Sequence, residues 1–274
     1  MGGQSSNKYL RLIKKTTLGD KHTIIELPHD TAIYSEIFYT GNYSPNLTSY
    51  IAQFISSNNV NLFIDLGANC GLVTKGVINQ LSVKLEYVLV EPFPDLMHAI
   101  QTNLSNMINA HLIFCEFALS NIDGNISFYR EINNSGSGTM NKKLGSISEY
   151  NEVTVLSRNA SSFFNEILVK DKKTVIKSDL QGSDAEILSM IPNSKLKNIL
   201  LIICELWSNP AIKPTDVRRF LCKFENEFSF YFLGDEHELS RSQVEKIWLD
   251  GSNSFKLHKY GIVKDLILIN NNYR

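Results

Sequence analysis

Apolar residues recur along this chain in short unbroken runs that alternate with stretches at helical spacing. The run over 61–66, with Leu62-Phe63-Ile64 at its heart, is too short for a helix and ends at a glycine turn, which predicts a buried strand. Helical periodicity follows over 72–81, then a strand over 85–90, a helix over 95–107 and a strand over 111–117. Repetition of this βαβ unit predicts a mainly parallel sheet covered by helices on both faces. The rhythm breaks at 125–130 and 152–156, which predict a strand pair spanned by a Gly-, Ser- and Asn-rich loop over 133–148; loops that long are usually functional or disordered. Alternation then resumes with a strand over 174–179, a helix over 184–190, a strand over 199–206, a helix over 215–226, and strands over 228–233 and 262–269. Ahead of the first unit lie short alternating segments such as Thr23-Ile24-Ile25-Glu26-Leu27 and a helix-like stretch over 47–57. Residues 1–58 therefore read as an N-terminal extension with a leading helix, and 59–274 as one doubly wound α/β domain with an inserted strand pair.

Composition narrows the function classes. With 274 residues, 43% hydrophobic and 20% charged, the chain has material for one sizeable core. A formal net charge of -1 supplies no overall basic field to draw it to nucleic acid or to anionic lipid. No apolar run approaches the roughly 20 residues that cross a bilayer. Cys70, Cys115, Cys204 and Cys222 stand far apart without a C-x-x-C pair, which fits reduced thiols in a cytoplasmic protein better than a disulfide framework. His22, His29, His98, His111, His237 and His258 show no metal-ligand spacing, and His98 reads as a solvated helix residue. Met1-Gly2-Gly3-Gln4-Ser5-Ser6 satisfies the myristoylation pattern, with Lys8, Arg11, Lys14 and Lys15 behind it, so a lipid on Gly2 in a eukaryotic host would place the protein at a membrane. An ordinary unstructured start satisfies the pattern equally well.

The chemistry concentrates at three strand ends. In Asp65-Leu66-Gly67-Ala68-Asn69-Cys70-Gly71 an apolar strand meets a glycine turn and then a helix, an arrangement that lets backbone approach a nucleotide-like ligand and offers free N–H groups. Asn69 occupies the second glycine position of the dinucleotide fingerprint G-x-G-x-x-G, which weakens a pyrophosphate reading and suits a ligand without phosphates. Asp65 and the turn carbonyls are candidate acceptors for an ammonium, and the turn N–H groups or Asn69 candidate donors to a carboxylate. The next strand ends in Glu91-Pro92, where a carboxylate accepts both hydroxyls of a ribose. Phe117-Ala118-Leu119-Ser120 ends the third strand and is the candidate adenine wall, through Ala118 and Leu119. Asp179, at the end of the strand over 174–179, and Glu205, on the neighbouring one, set two carboxylates at one edge of the sheet, for general-base chemistry or a divalent cation. Asp184 and Glu186 read as first-turn helix acids.

At these residues the chain resembles the FkbM-type methyltransferases, a group of class I enzymes dependent on S-adenosylmethionine. The match runs in order through Phe63-Ile64-Asp65-Leu66-Gly67-Ala68-Asn69-Cys70-Gly71, Val90-Glu91-Pro92, Ala118-Leu119-Ser120 and Asp179-Leu180-Gln181-Gly182-Ser183-Asp184-Ala185-Glu186-Ile187-Leu188. The resemblance implies a Rossmann-like seven-stranded methyltransferase sheet and O-methylation of a sugar, glycan or small-molecule hydroxyl. It sets Asp65, Gly67, Asn69 and Gly71 beside the methionine part of the cofactor, Glu91 at the ribose and Asp179 on the catalytic side. Two positions depart from the family pattern: many members carry D-x-E-G-x-E where this chain has Gln181 and Asp184, and the Asp of a Leu-Asp pair is absent from Val153-Thr154-Val155-Leu156-Ser157-Arg158-Asn159. The segment Ser135-Gly136-Ser137-Gly138-Thr139-Met140-Asn141 falls where members hold serines near the acceptor, and reads equally as a glycine-rich connection. Two other readings stay open: ribose 2′-O-methylation of RNA, with Lys177 beside Asp179 and Glu205, and a cofactor-binding interaction module without catalysis. The acceptor, the use of a cation and the oligomeric state are left open by the residues alone.

Overall fold

The apolar runs at the head of each βα unit lie side by side as neighbouring strands. The structure, a computed structural model, describes residues 9–15, 22–28, 31–40, 43–108, 110–131, 138–141, 150–253 and 262–273. Its strands in chain order are β1 (Tyr9–Lys15), β2 (His22–Pro28), β3 (Leu62–Leu66), β4 (Leu85–Val90), β5 (Ala110–Cys115), β6 (Ala118–Ser120), β7 (Gly124–Glu131), β8 (Gly138–Thr139), β9 (Tyr150–Asn159), β10 (Thr174–Ser178), β11 (Ile199–Ser208), β12 (Phe228–Phe232) and β13 (Ile262–Asn270). Seven of them form one sheet in the order β12-β13-β11-β10-β3-β4-β5. Neighbours from β11 to β5 pair in parallel, and β13 runs antiparallel to both β11 and β12. The fold is thus the doubly wound, mainly parallel, Rossmann-like seven-stranded sheet that the motifs imply.

Helices cover both faces of this sheet, which is why β3 and β10 are buried along their whole length. One face is packed by the helices Pro45–Asn58, Leu72–Gln80 and Pro94–Leu104 through residues such as Ile51, Val77 and Ile100. The other is packed by Ala160–Ile167, Asp184–Leu188, Pro214–Phe224 and Arg241–Asn253, where Phe163, Phe164, Phe220, Phe224 and Trp248 fill the core. In Pro214–Phe224 the apolar positions Val217, Phe220, Leu221 and Phe224 recur at helical spacing, so the periodicity was visible in the sequence. Arg241–Asn253 buries Val244 and Trp248 in that core, with Ile247 partly buried against it, a stripe too thin to predict it.

A second, four-stranded sheet has the order β6-β9-β7-β8. The expected strand pair is its centre, β7 against β9 from Gly124↔Ser157 to Glu131↔Tyr150. One expectation is corrected here: 111–120 is not a single third strand. The chain leaves the main sheet after Cys115, and Ala118–Ser120 pairs instead with β9 in parallel. The switch is fixed by Phe117, edge to face with Phe163 at 5.9 Å, and by a buried hydroxyl pair, Ser120 Oγ and Ser157 Oγ at 2.7 Å.

Near the N-terminus β1 and β2 form a separate antiparallel hairpin, and the helix Thr31–Thr40 packs Ile33 and Ile37 against Cys70, Leu72 and Ala99. The Gly2 pattern and most of the 133–148 loop lie outside the described residues. All four cysteines are free thiols, with Cys70 and Cys204 buried. Among the described residues no helix is long and apolar enough to cross a membrane.

Candidate active site at the reversal of strand order

Strand order reverses between β3 and β10, and open α/β sheets hold their ligands in the crevice beyond the carboxyl ends at such a point. The turn after β3 is the floor of that crevice. Gly67, Asn69 and Gly71 all take left-handed backbone conformations, φ 72°, 52° and 76°, the second being one that asparagine tolerates better than most side chains. The N–H groups of Gly67 and Ala68 donate to the Val90 carbonyl at 3.0 and 3.1 Å, tying the turn to the end of β4. A Cβ on Gly67 would lie 2.0 Å from the Asp179 carbonyl oxygen, so the turns after β3 and β10 touch backbone to backbone.

Beneath the turn is a buried polar strut. Asp65 is fully buried; its Oδ2 accepts from Thr74 Oγ1 at 2.6 Å and its Oδ1 lies 3.1 Å from Lys177 Nζ. Lys177 Nζ also donates to the Gly67 carbonyl at 3.1 Å and stands 3.8 Å from Asp179 Oδ2. Burial works to depress the Lys177 pKa, but the carboxylates of Asp65 and Asp179 outweigh it and hold the amine charged. Asp65 thus braces the turn from below, its carboxylate engaged by Thr74 and Lys177, and it is not among the lining residues of the two cavities described below. Gly71 opens the helix Leu72–Gln80 and likewise lines neither cavity.

On one side of the turn a mostly apolar cavity encloses about 570 Å³ counted to its open mouth. Of the expected cofactor residues Gly67, Asn69, Glu91, Pro92, Ala118 and Leu119 line it. Sequence reasoning missed Phe93, Phe128 and Met140. Phe93 and Phe128 meet edge to face at 5.3 Å, and Arg130, paired with Asp95 through two bonds of 2.9 and 2.8 Å, stacks 4.5 Å over Phe93. Thr139 Oγ1 donates to the Gln181 carbonyl at 3.1 Å, carrying β8 across the cavity from the side sheet. Glu91 is the buried carboxylate of this cavity, its Oε2 accepting from the Asn69 N–H at 2.9 Å and its Oε1 from the Phe93 N–H at 3.2 Å. Burial pushes its pKa up to about 8, against the pull of those two N–H groups and of Arg130 and Lys177.

A ligand that donates hydroxyls to Glu91 favours the ionised form and lowers that pKa on binding. Affinity is therefore expected to weaken as pH falls below about 8, by up to tenfold per unit, and to level off above it. Calorimetry with S-adenosylhomocysteine at pH 6.5, 7.5 and 9, in buffers of different ionisation heat, reads both the trend and the released proton.

On the other side of the turn a polar cavity of about 610 Å³, also counted to its mouth, brings together the two predicted catalytic carboxylates, Asp179 and Glu205; it shares Gly67, Asn69 and Asp179 with the apolar cavity and adds Ala68. Asp179 Oδ1 accepts from Gln181 Nε2 at 2.6 Å, and Glu205 Oε2 from Trp207 Nε1 at 2.8 Å. Burial first, then the negative charge of Asp179, raises the Glu205 pKa to about 9. Asp265, Tyr43 and Ser44 also line this cavity and were not anticipated. Asp265 had one signal, the charged pair Lys264-Asp265 interrupting the apolar residues of the final strand.

Asp184 is the first-turn helix acid expected, and it is also buried, with Oδ1 accepting from Ser178 Oγ at 2.6 Å and both oxygens from the Leu180 N–H at 3.1 and 3.2 Å. It staples the turn that carries Asp179, and burial lifts its pKa to about 7. Glu186 is half-buried and His98 exposed. Among the described residues no three His, Cys, Asp or Glu side chains gather to hold a metal ion.

The donor set fits a nucleoside thioether on one wall. The apolar slot accepts a flat base, the buried Glu91 carboxylate takes vicinal hydroxyls, and Asn69 Oδ1 is a shielded acceptor with no hydrogen-bond partner.

No protein-family model matches the chain, and no curated protein matches it in sequence. Among solved structures it is similar to an O-methyltransferase from Bacillus cereus in complex with SAH, at 11% identity and TM-score 0.45, covering 89% of this chain and 93% of that one. It is also similar to a SAM-dependent methyltransferase from Agrobacterium tumefaciens, at 8% identity and TM-score 0.44, covering 97% and 70%. A SAM-dependent O-methyltransferase from Thermotoga maritima gives 12% identity and TM-score 0.41, covering 94% and 77%. These are likenesses of chain path.

Proposed function

We propose that the chain is an S-adenosylmethionine-dependent methyltransferase of the FkbM type, transferring a methyl group to a hydroxyl of a sugar, glycan or small molecule. One observation carries the reading: Gly67, Asn69 and Asp179 border both of two adjoining cavities, an apolar one holding the Glu91 carboxylate and a polar one holding Glu205. The motif resemblance through Asp65-Leu66-Gly67-Ala68-Asn69, Glu91-Pro92 and Asp179-Leu180-Gln181-Gly182 supports it. When bound, the cofactor supplies an electrophilic methyl group on a sulfonium.

The chain's own residues do the rest. Phe93, Leu119 and Phe128 exclude water from the base side, and Glu91 accepts the ribose hydroxyls. Lys177, by fixing the Gly67 carbonyl and facing Asp179, holds the two turns in register. Asp179 borders both cavities, where cofactor and acceptor would meet, placed to orient an acceptor hydroxyl and take its proton, with Glu205 in the polar cavity as the second carboxylate. The RNA reading loses its cation, because Lys177 is buried and engaged with Asp65 and the Gly67 carbonyl.

Calorimetry with S-adenosylhomocysteine tests the cofactor, and absence of binding sinks the proposal. Asp179→Asn is expected to lower methyl transfer from labelled cofactor about 100-fold or more, with a much smaller change in S-adenosylhomocysteine affinity, since Asp179 also borders the apolar cavity. Undiminished turnover would remove Asp179 from the mechanism.

A further inference from the structure

A third cavity lies past the turn after β10, apart from those that hold Glu91 and Glu205. It encloses about 840 Å³ counted to its open mouth, between that turn, the strap Thr139-Met140-Asn141 and the loop ahead of the helix Pro214–Phe224. Met140 borders both this cavity and the apolar one. The strap is pinned at each end, by Thr139 Oγ1 on the Gln181 carbonyl at 3.1 Å and by Asn141 Nδ2 on the Ala211 carbonyl at 3.0 Å. Asp179 and Gly182 belong to one tight turn, closed by the Ser183 N–H on the Leu180 carbonyl at 3.2 Å, and Gly182 lines the new cavity. The space therefore adjoins the place where an acceptor would meet Asp179.

The fold leaves polar groups of this lining without partners. Ser183 is only 6% exposed and stands ahead of the helix Asp184–Leu188, where a serine side chain ordinarily accepts a backbone N–H, yet it makes no capping bond. No other partner of its hydroxyl, and no ion pair of Glu186 or Lys213, occurs among the described residues. A buried hydroxyl without a partner is costly, and the cavity is the space from which a partner can come. The Ser183 hydroxyl donates and accepts, Glu186 accepts and Lys213 donates, which together complement a ring whose hydroxyls do both. Ala185, Ile212 and Met140 supply apolar contact for the carbon faces of such a ring. Charge on the ligand is disfavoured either way, since an anion meets Glu186 and a cation meets Lys213.

We propose that this cavity holds a neutral sugar ring of the acceptor, while the hydroxyl to be methylated, on the adjoining ring, meets Asp179. The substrate class is an uncharged oligosaccharide, not a free monosaccharide and not an acidic or phosphorylated sugar. Resting on the methyltransferase reading, this makes Ser183, Glu186 and Lys213 specificity-determining residues.

The test supplies the full chain with methyl-labelled S-adenosylmethionine and a carbohydrate extract of its source organism, and separates labelled products by charge and then by size. Label is expected in uncharged oligosaccharides, and acid that cleaves glycosidic bonds but spares methyl ethers is expected to move it to monosaccharide size. Label confined to charged fractions or to free monosaccharides before hydrolysis overturns the proposal, as does absence of labelled carbohydrate with protein that binds S-adenosylhomocysteine. Ser183→Ala and Glu186→Gln are each expected to raise KM for the purified acceptor about tenfold with kcat little changed, the sign of binding lost away from the reacting atoms. Tm and S-adenosylhomocysteine affinity should stay unchanged, because Ser183 makes no capping bond and Glu186 no ion pair. An unchanged KM in both variants, or a lowered Tm with KM intact, assigns these side chains a structural role and overturns the proposal. Ala211→Trp, which fills the cavity from its half-buried rim, is expected to abolish turnover of the oligosaccharide, and undiminished turnover also overturns it. Wild-type protein that fails to bind S-adenosylhomocysteine refutes the methyltransferase reading instead, so the two failures are distinguishable.

Discussion

Gly67→Ala is expected to abolish S-adenosylhomocysteine binding and to destabilise the fold by about 3–5 kcal/mol. Two costs combine. The added Cβ meets the Asp179 carbonyl oxygen at 2.0 Å, and that obstacle is backbone, which cannot rotate away as a side chain would. The left-handed φ of 72° adds the ordinary penalty of an L side chain in that region. Relief requires the turns after β3 and β10 to part, which stretches the Lys177 bond to the Gly67 carbonyl and deforms the wall common to both cavities. Gly234→Ala is the control: its φ is 83° with nothing within 4 Å of the added carbon, so it is expected to cost only about 1 kcal/mol. Denaturant unfolding of the pair separates steric from conformational cost, and similar losses in the two would show the close approach to be irrelevant.

The second large effect is expected at Glu91. Glu91→Gln keeps the shape but removes the negative charge, replacing two carboxylate acceptors by one carbonyl and one donor. The Asn69 N–H and the Phe93 N–H then compete for a single good acceptor, and ribose hydroxyls lose their anionic partner. At about 1.5–3 kcal/mol for each charged hydrogen bond, affinity for S-adenosylhomocysteine should fall about 100-fold. The fold should lose about 1–3 kcal/mol at most for the N–H left without an acceptor, offset in part because a buried carboxyl with its pKa near 8 is costly to keep ionised. Calorimetry and thermal unfolding on one preparation read both quantities. An unchanged affinity would move the ribose elsewhere.

Much of this architecture is legible in the sequence because burial on both faces makes parallel strands read as plain apolar runs, as in Leu62-Phe63-Ile64 and Ile202-Ile203-Cys204. What stays hidden has a physical reason in each case. Phe117 packs against the same core as Ile113 and Cys115 of β5, so it looks like the end of that strand, and no periodicity distinguishes a strand that ends from one that changes sheet. Asp184 follows the pattern of a surface helix acid, and only the fold shows the Leu180 N–H and the Ser178 hydroxyl closing on it. Asp65 falls to the same blindness in reverse, since a motif gives a residue's place on the strand end but not which way its carboxylate points. Asp265 lies far along the chain from Glu205, and only the antiparallel register sets them face to face.

That last strand has a consequence for how the protein is made. β13 is inserted between β11 and β12, and β12 has no other ladder partner in the main sheet. On the ribosome, Phe228–Phe232 emerges well before Ile262–Asn270, so a growing chain carries an apolar strand with an open edge until the later segment arrives. The same delay leaves Asp265 out of the polar cavity. A chain stopped between these two strands is expected to leave the β13-facing edges of both β11 and β12 open to pairing with other chains.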